Sequence, residues 1–424
     1  MRILVLGPGA REHAIITALR REDPAHEIVA APGNAGIAED VEVMHLDAND
    51  PEVVAEYVRD SSFDLCVIGP EAPLVAGVAD AVRAVGVPVF GPSQAAAALE
   101  GSKAFAKAIM DAAAVPTGRA TRATTIAEAI AAIDAESAPW VVKADGLAAG
   151  KGVIVTPDRD AAIEHARFWL QHGSVLVEEF LDGEEVSLFL FSDGESVRAL
   201  SPAQDFKRLR DNDEGPNTGG MGAYTPLPWL DARFGSEDEF VAEVIDTVAL
   251  PTVQAMSREG TPFVGLLYCG LIVTEQGIRV IEFNARFGDP ETQVVLERLA
   301  TPLSSVLFAA ATGTLASLPP LEKREIAAVT VVIASDGYPE APITGRPIEG
   351  IKAANALEGV HVLHAATALG SDGAHLLATG GRVISVVGVG DSLAQARTRA
   401  YAGVDTISLE GARVRRDIAE KVAR

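Results

Sequence analysis

The stretch that decides the fold is R-V-I-E-F-N-A-R-F-G-D-P-E-T-Q, residues Arg279–Gln293. Its β-branched, apolar start, which follows a Gln-Gly turn pair, predicts a β-strand. Because side chains alternate between the faces of a strand, Glu282, Asn284 and Arg286 are expected on one side. A carboxylate and an amide oxygen two residues apart suit a hard cation such as Mg²⁺, whose other positions water and nucleotide phosphate fill. A solvated edge strand is the alternative interpretation of the same pattern.

The residues around this strand extend the polar face. The guanidinium of Arg286 can make bidentate hydrogen bonds to phosphoryl oxygens, and Gly288-Asp289-Pro290 is typical of a sharp turn. The preceding segment, Phe263–Val273, is predicted to pair antiparallel with Arg279–Phe283. The polar face is therefore expected at the end of a β-hairpin.

Composition restricts the class of protein. The chain has 424 residues, and its 35 basic and 59 acidic residues give a net charge of −24. This charge argues against general nucleic-acid binding, but not against small phosphorylated ligands. No apolar run reaches the ~18 residues that span a bilayer, and no signal-peptide pattern opens the chain. Cys66 and Cys269 lie in apolar runs, so we expect buried thiols and a cytoplasmic protein.

Residues 1–100 alternate predicted strands and helices, which is the pattern of an open, mostly parallel α/β sheet. Ligands of such sheets bind beyond the carboxyl ends of the strands. Glycine-bearing loops at these ends are predicted to hold a phosphate-sized ligand through backbone N–H groups. Arg11 and Glu12, in the first turn of the next helix, are further candidates, with a solvated helical turn as the alternative. The loop candidates are Gly7, Gly9, Gly33, Asn34, Gly69, Pro70 and Glu71.

The first loop does not complete a dinucleotide-binding fingerprint. Glu12 stands where G-x-G-x-x-G needs its third glycine, and no acidic residue follows the second strand at the expected spacing. A nicotinamide oxidoreductase is therefore the least favoured class. The last helix and strand of this region are predicted at Ala76–Val85 and Val87–Phe90.

A glycine-rich loop, Gly146–Gly152, joins two β-branched segments and predicts a flap that folds over a nucleotide. Lys143 and Lys151 would supply charge to the phosphates, whereas an ordinary hairpin is the alternative. Upstream, Ser102 is a predicted helix N-cap. Downstream, the strand that ends near Glu179 could meet an adenine edge, with Glu185 accepting hydrogen bonds from ribose hydroxyls.

Residues 201–228 are polar and predicted to be irregular. A connection of this length is usually functional, and its glycines beside Asn217 and Thr218 predict a backbone cradle. A long helix is predicted at Glu239–Ser257. The pair Pro319-Pro320 marks a boundary before a last region with strands of its own.

Together these motifs resemble the glycinamide ribonucleotide synthetase (phosphoribosylamine–glycine ligase) family of ATP-grasp enzymes. The resemblance covers essentially the whole chain. It rests on Gly-x-Gly-x-Arg-Glu-His at the N-terminus and on the segments 31–36, 69–74, 100–103, 143–152, 178–185, 215–224 and 281–293.

The family implies an α/β fold in four parts. An open parallel α/β domain, 1–101, would hold 5-phosphoribosylamine through the loop candidates, Arg11 and Glu12. Two α+β lobes, 102–190 and 191–325, would grip ATP, and a small α/β domain, 326–424, would close the site.

The resemblance also assigns the remaining site residues. Glu282 and Asn284 would bind Mg²⁺ or Mn²⁺. ATP would contact Lys103, Lys143, Gly146, Gly150, Lys151, Gly152, Glu178, Glu179, Phe180, Leu181 and Glu185. Glycine and the transferred phosphoryl group would contact the catalytic candidates Asp205, Lys207 and Arg286, together with Asn217, Thr218, Gly219, Gly220, Gly222, Gly288 and Asp289.

Three features depart from expectation. Phe206 stands where the family usually has histidine, and Pro8-Gly9-Ala10 replaces a pair of adjacent glycines. Many ATP-grasp enzymes also carry a second acidic metal ligand on the preceding strand, which has no acid here. We therefore expect one well-defined protein-bound metal.

The implied reaction joins glycine to 5-phosphoribosylamine through glycyl phosphate, without a protein nucleophile and without nucleic-acid or membrane partners. Another ATP-grasp ligase with a different acid or amine is the nearest alternative. A non-catalytic nucleotide-binding regulator is the alternative of another class. The oligomeric state is expected to be a monomer or weak homodimer.

Overall fold

The structure is a computed structural model that describes residues 1–146 and 152–423. Its N-terminal region is the expected open parallel sheet. With the strands numbered by their order in the sequence, they lie side by side in the order 3-2-1-4-5. The strands, in spatial order, are Glu42–Val43, Glu27–Pro32, Arg2–Gly7, Leu65–Ile68 and Val89–Phe90. This order brings the glycine-bearing loops to one edge of the sheet.

Helices cover this sheet, and one of them departs from expectation. The predicted helix Ala76–Val85 is wrong at its start, because Gly77 separates two shorter helices. The strand predicted at Val87–Phe90 shortens to its last two residues. The helices of the region are Ala10–Glu22, Ile37–Asp40, Pro51–Ser61, Glu71–Ala76, Val78–Ala84 and Gln94–Gly101.

The flap lobe, which is the predicted lobe of residues 102–190, has a four-stranded antiparallel sheet. Its first helix begins where predicted, since the hydroxyl of Ser102 accepts a hydrogen bond from the N–H of Phe105. The strands, in spatial order, are Ala120–Ala123, Val175–Glu178, Trp140–Ala144 and Val153–Thr156, and the helices are Lys103–Ala112, Ile126–Ala135 and Arg159–Trp169.

The second lobe has another four-stranded antiparallel sheet. The helix predicted at Glu239–Ser257 is interrupted by a π-helical turn at Ile245–Ala249, just before Pro251, which has no N–H to donate. The strands are Val197–Ala199, Glu184–Asp193, Val264–Thr274 and Gly277–Asn284, and the helices are Trp229–Phe234, Glu237–Val244, Leu250–Arg258, Thr292–Arg298 and Leu303–Ala311.

The third large sheet joins distant parts of the chain. The expectation that residues 201–228 are irregular was wrong, because two of their short strands pair with each other, and the second of them pairs with a strand beyond residue 326. These strands are too short and polar to show a period in sequence. The five antiparallel strands are Gln204–Asp205, Gly222–Thr225, Ala327–Ala334, Arg382–Gly390 and Val360–His364.

Three two-stranded ribbons and two further helices complete the described part of the chain. These elements are Arg208–Arg210 with Glu214–Asn217, Ile348–Glu349 with Ser408–Leu409, Thr367–Leu369 with Leu376–Ala378, and the helices Ile351–Asn355 and Leu393–Thr406. Short 3₁₀ turns lie at Asp211–Asp213 and Leu315–Ser317. Within the described part of the chain, no helix combines the length and apolar character that crossing a membrane requires.

Helix Thr292–Arg298 lies at the junction of these regions, and all seven of its residues are buried. The carboxylate of Glu297 pairs with Arg21 from the first helix and with His361 from the last sheet. These charges outweigh burial and lower the pKa of Glu297 to about 2. The junction therefore fixes the N-terminal and C-terminal regions against the central lobes.

The chain end is held by Arg415, whose side chain is fully buried. Its guanidinium pairs with Asp417 at 2.6 Å and Asp213 at 2.8 Å. It also lies 4.8 Å from the centroid of the Phe206 ring. This cation therefore attaches the C-terminal segment to the ribbon near Lys207.

We predict that Arg415→Met lowers the free energy of unfolding by about 1.5–3 kcal/mol, because it removes the charge-assisted hydrogen bonds of a fully buried guanidinium. Arg416→Met is the matched control, since Arg416 is 54% exposed in its pair with Asp405. The control should cost less than about 1 kcal/mol in a urea titration. Equal losses in the two variants would contradict this account of Arg415.

Candidate active site

Strand Gly277–Asn284 carries the predicted metal-binding face, and its antiparallel pairing with the preceding strand is confirmed. Phe283 is buried in the core, whereas Glu282, Asn284 and Arg286 are half-buried on the other side. The alternation expected from sequence is therefore present. The polar side chains face away from the hydrophobic interior and are available to a ligand.

The Glu282 carboxylate is surrounded by positive charge. Burial raises the pKa of Glu282, but the charge of four cations outweighs it and holds that pKa below its ordinary value of 4.5. These cations are Lys207, Lys143, Lys103 and Arg286. Glu282 is therefore ionised at neutral pH, in a locally basic site on a strongly acidic protein.

Lys143 connects the base of the flap to this strand. Its ammonium group donates to the carbonyl of Ile281 at 3.1 Å and lies 2.7 Å from Glu178. Both charged side chains are less than one-tenth exposed. Lys103 donates to the carbonyl of Gly146 at 3.2 Å, at the start of the flap. The two lysines predicted to contact phosphates thus lie close enough to Glu282 for both of them to lower its pKa.

The two flap strands, Trp140–Ala144 and Val153–Thr156, are paired antiparallel. The carbonyl of Gly152 accepts a 2.7 Å hydrogen bond from the end of the first strand. Gly150 and Lys151 lie outside the described residues, so their contacts with ATP stay predictions.

The segment Glu178–Leu181, which is predicted to contact adenine, is buried at Glu178 and exposed at Phe180. The carboxylate of Glu178 is buried between Lys143 and Lys107, which lies 3.6 Å away. The N–H of Glu179 donates to the carbonyl of Arg119 at 2.9 Å, whereas Phe180 is 41% exposed. The side chain of Glu178 therefore positions lysines, and the adenine contacts of this segment stay predictions.

Asp205 and Lys207 lie beside the predicted metal-binding face, where Lys207 pairs with Glu185 at 2.7 Å. Burial raises the pKa of Asp205 to about 7, with Glu291, Glu185 and Glu282 adding to the effect and Lys207 opposing it. A carboxyl group with this pKa can exchange a proton near neutral pH.

Phe206, where the family usually has histidine, is half-buried between these two residues. Its ring packs against the Tyr224 ring at 6.1 Å and beneath Arg415. The side chain at this position therefore supports the fold.

The loop from Asn217 to Gly222 packs directly on the turn at residues 288–290. Gly220 has a φ of +108°, and a Cβ there would lie 2.4 Å from a Pro290 carbon. Four successive N–H groups of the loop, from residues 218–221, donate in order to the Lys207 carbonyl, the Tyr338 hydroxyl, the Thr218 hydroxyl and the Phe206 carbonyl. The loop is thus a rigid wall, and the substrate contacts of Asn217, Thr218, Gly219, Gly220 and Gly222 stay predictions.

The turn after strand Gly277–Asn284 is held by ion pairs. Arg286 lies 3.0 Å from Glu100 and 3.4 Å from Glu71, an N-terminal loop candidate. Asp289 pairs with Arg382 at 2.9 Å, and this charge outweighs burial and lowers the pKa of Asp289. The turn, including Gly288, therefore contacts both ends of the chain.

The N-terminal loops enclose the carboxylate of Glu12, which is fully buried. It accepts a 2.6 Å hydrogen bond from the N–H of Gly9, and a Cβ on Gly69 would lie 1.9 Å from its oxygen. Arg11 contacts Glu12 at 2.6 Å and the carbonyl of Phe287 at 3.0 Å. Glu12 thus holds the loops together, and Arg11 attaches them to the turn.

Asn34 connects the same edge to the last sheet. Its amide donates to the carbonyls of Pro8 at 2.7 Å and His364 at 2.8 Å. Gly7, Gly33 and Pro70 lie at or just beyond the carboxyl ends of their strands. Their contacts with a sugar phosphate stay predictions.

Sequence reasoning missed several residues of this region. A buried cluster joins Ser187, Tyr268 and Glu291 through hydrogen bonds of 2.9 to 3.1 Å. Glu291 could have been found as the first acid after the turn. No sequence pattern pointed to Arg382 as a site residue, because it lies 93 residues from its partner Asp289.

These features define a class. An open parallel sheet precedes two antiparallel lobes, and the two strands that flank the glycine-rich segment lie beside lysines and an ionised carboxylate. This arrangement is that of the ATP-grasp enzymes.

The comparisons with known proteins give the family. Models described as phosphoribosylglycinamide synthetase match residues 1–100 (N domain), 101–292 (ATP-grasp domain) and 328–421 (C domain). The chain therefore belongs to the phosphoribosylglycinamide synthetase family and is an ATP-dependent ligase.

Whole-chain relatives agree. The chain is 64% identical to a phosphoribosylamine–glycine ligase of Leifsonia xyli subsp. xyli, over 99% of this chain and 100% of the relative. It is 56% identical to one of Streptomyces coelicolor, over 100% of each. A crystal structure of the Thermotoga maritima phosphoribosylamine–glycine ligase has a TM-score of 0.82 at 32% identity, covering 99% of this chain and 100% of that one.

We predict that Lys143→Met raises KM for ATP at least about tenfold, because a buried charge-assisted bond is worth about 1.5–3 kcal/mol. Lys107→Met is the control, since Lys107 faces the same Glu178 carboxylate without contacting Ile281. Steady-state kinetics should show a change of less than about threefold in the control. An unchanged KM in Lys143→Met would contradict the role of this lysine.

Proposed function

We propose that this chain ligates glycine to 5-phosphoribosylamine, converts ATP to ADP and phosphate, and acts in purine biosynthesis in the cytoplasm. The observation that carries the proposal is the position of Glu282, ionised and half-buried, among the phosphate-binding candidates Lys103, Lys143 and Lys207. The names of the related ligases support the same substrates.

Glu282 and Asn284 would hold a Mg²⁺ or Mn²⁺ ion. One ionised carboxylate and one amide oxygen on a single strand face fit this group, which takes its remaining oxygens from water and phosphate. Among the described residues no cluster of three or more His, Cys, Asp or Glu side chains could hold a metal. When bound, the ion would neutralise charge on the phosphoryl oxygens.

The reaction has two steps. The glycine carboxylate attacks the γ-phosphorus of ATP, the bond to the bridging oxygen breaks, and ADP leaves. The amine of 5-phosphoribosylamine then attacks the carbonyl of glycyl phosphate, phosphate leaves, and the amine loses a proton. Neither step needs a protein nucleophile, so positioning and charge neutralisation carry the catalysis.

The residues of the chain divide this work. Lys103 and Lys143 neutralise ATP phosphates, and Arg286 and Lys207 face the transferred phosphoryl group. Asp205, with a pKa raised to about 7, accepts the proton of the attacking amine. The wall formed by the Asn217–Gly222 loop excludes water from the acyl phosphate.

The four-part division at residues 1–101, 102–190, 191–325 and 326–424 is part of this proposal. The N-terminal loops would hold the ribose phosphate, and the central lobes would hold ATP. The last part would close the site as a monomer or weak homodimer.

We predict that Glu282→Gln lowers kcat for ADP formation at least about a hundredfold, because removing preorganised charge from a closed site costs about 2.7–4 kcal/mol. Glu275→Gln makes the same substitution at an exposed position on the same hairpin and should keep full activity. Near-normal turnover in Glu282→Gln would remove the metal assignment.

Omission of substrates tests the proposal against its alternatives. ADP release should require glycine, 5-phosphoribosylamine and a divalent cation together. Turnover with another acid or amine would instead indicate a different ATP-grasp ligase. Nucleotide binding without turnover under saturating substrates would indicate a regulator.

A further inference from the structure

Arg382 begins a strand of the last sheet, yet its guanidinium reaches the two loops that border the predicted glycine site. It donates to the carbonyl of Asp289 at 2.6 Å and to the carboxylate of Asp289 at 2.9 Å. It also donates to the carbonyl of Gly219. One side chain thus joins the loop at residues 217–222 to the turn at residues 288–290.

Tyr338 holds the same loop from another direction. Its hydroxyl accepts a 2.9 Å hydrogen bond from the N–H of Gly219. The ring fits because Gly381 has no side chain, and a Cβ there would lie 2.3 Å from a ring carbon. Both backbone polar groups of Gly219 are therefore bound by the C-terminal region, one by Tyr338 and the other by Arg382.

We propose that Arg382 and Tyr338 are positioning residues for glycine and its acyl phosphate. They set the distance between the loop and the turn, and so the width of the site that receives the amino acid. The inference rests on the proposed function. It gives the C-terminal region a role at the acid site, since neither residue is required to touch ATP.

The geometry explains why arginine is required. Gly219 and Asp289 present two carbonyls and a carboxylate in different directions, and the planar guanidinium can donate to all three at once. A lysine ammonium can follow only part of this pattern. Because a misplacement of about 1 Å can cost a hundredfold in rate, a loosened wall should affect the acid before it affects the nucleotide.

The test uses Arg382→Met, Arg382→Lys and Tyr338→Phe in the full chain, with separate titrations of glycine and ATP. In Arg382→Met, KM for glycine should rise at least about tenfold, since charge-assisted bonds are lost, while KM for ATP stays within about twofold. ADP release should exceed product formation, because water reaches the acyl phosphate. Arg382→Lys should restore part of the effect, and Tyr338→Phe should show a smaller change in the same direction.

Arg399→Met is the matched control. Arg399 lies in the same region, is equally exposed at 22%, and also binds a backbone carbonyl and a carboxylate, those of Val389 and Glu358. Its kinetics should match the unmodified chain, and melting temperatures would identify any variant that is not folded. If Arg382→Met does not fold, Arg382→Lys and Tyr338→Phe decide the question.

The test distinguishes failure of the proposed function from failure of the positioning role. If the unmodified chain shows no glycine-dependent ADP release, the proposed function fails. If the unmodified chain is active but the folded Arg382 and Tyr338 variants keep its KM for glycine and its ratio of ADP to product, only the positioning role is overturned. A parallel rise of KM for glycine and ATP would overturn it as well.

Discussion

Charged side chains from every part of the chain form hydrogen bonds with the backbone of one short segment, residues 281–289. Lys143 of the flap lobe binds the carbonyl of Ile281, and Glu100 binds the N–H of Ala285. Arg11 from the first helix and Arg382 from the last sheet bind carbonyls further along the turn. The residues predicted to bind ATP, amine and acid are therefore fixed relative to the same strand, whose polar face carries Glu282. Movement of any one part would therefore change the position of the Glu282 carboxylate.

Local charge in this site opposes the charge of the whole chain. The protein has a net charge of −24, yet the charged groups that act most strongly on Glu282 are cations that hold its pKa down. Several of these cations are themselves paired with buried carboxylates, as Lys143 is with Glu178 and Arg286 with Glu100. Such pairing offsets part of the cost of burying these charges in a partly dehydrated site. The site can thus receive polyanionic ATP without being a general anion-binding surface.

Features that depend only on a short stretch of sequence could be predicted from the sequence alone. The alternation that places Glu282 opposite to buried Phe283, the Ser102 cap and the parallel N-terminal sheet follow from short-range rules. Features that depend on distant partners were not predictable. The strand Gly222–Thr225 becomes regular only by pairing with residues 328–331, and Arg382 reaches the site only through that sheet. The break at Gly77 follows a local rule, since this glycine has the left-handed conformation that commonly ends a helix.

The central claim is that the free face of this strand is where metal, nucleotide and acid meet. A crystal structure of this chain with Mg²⁺, a non-hydrolysable ATP analogue and glycine tests it most directly. The account predicts one ion at about 2.0–2.1 Å from oxygens of Glu282 and Asn284, with phosphate oxygens on its other side. An ion held by other side chains, or a nucleotide bound away from Lys143, would contradict the account.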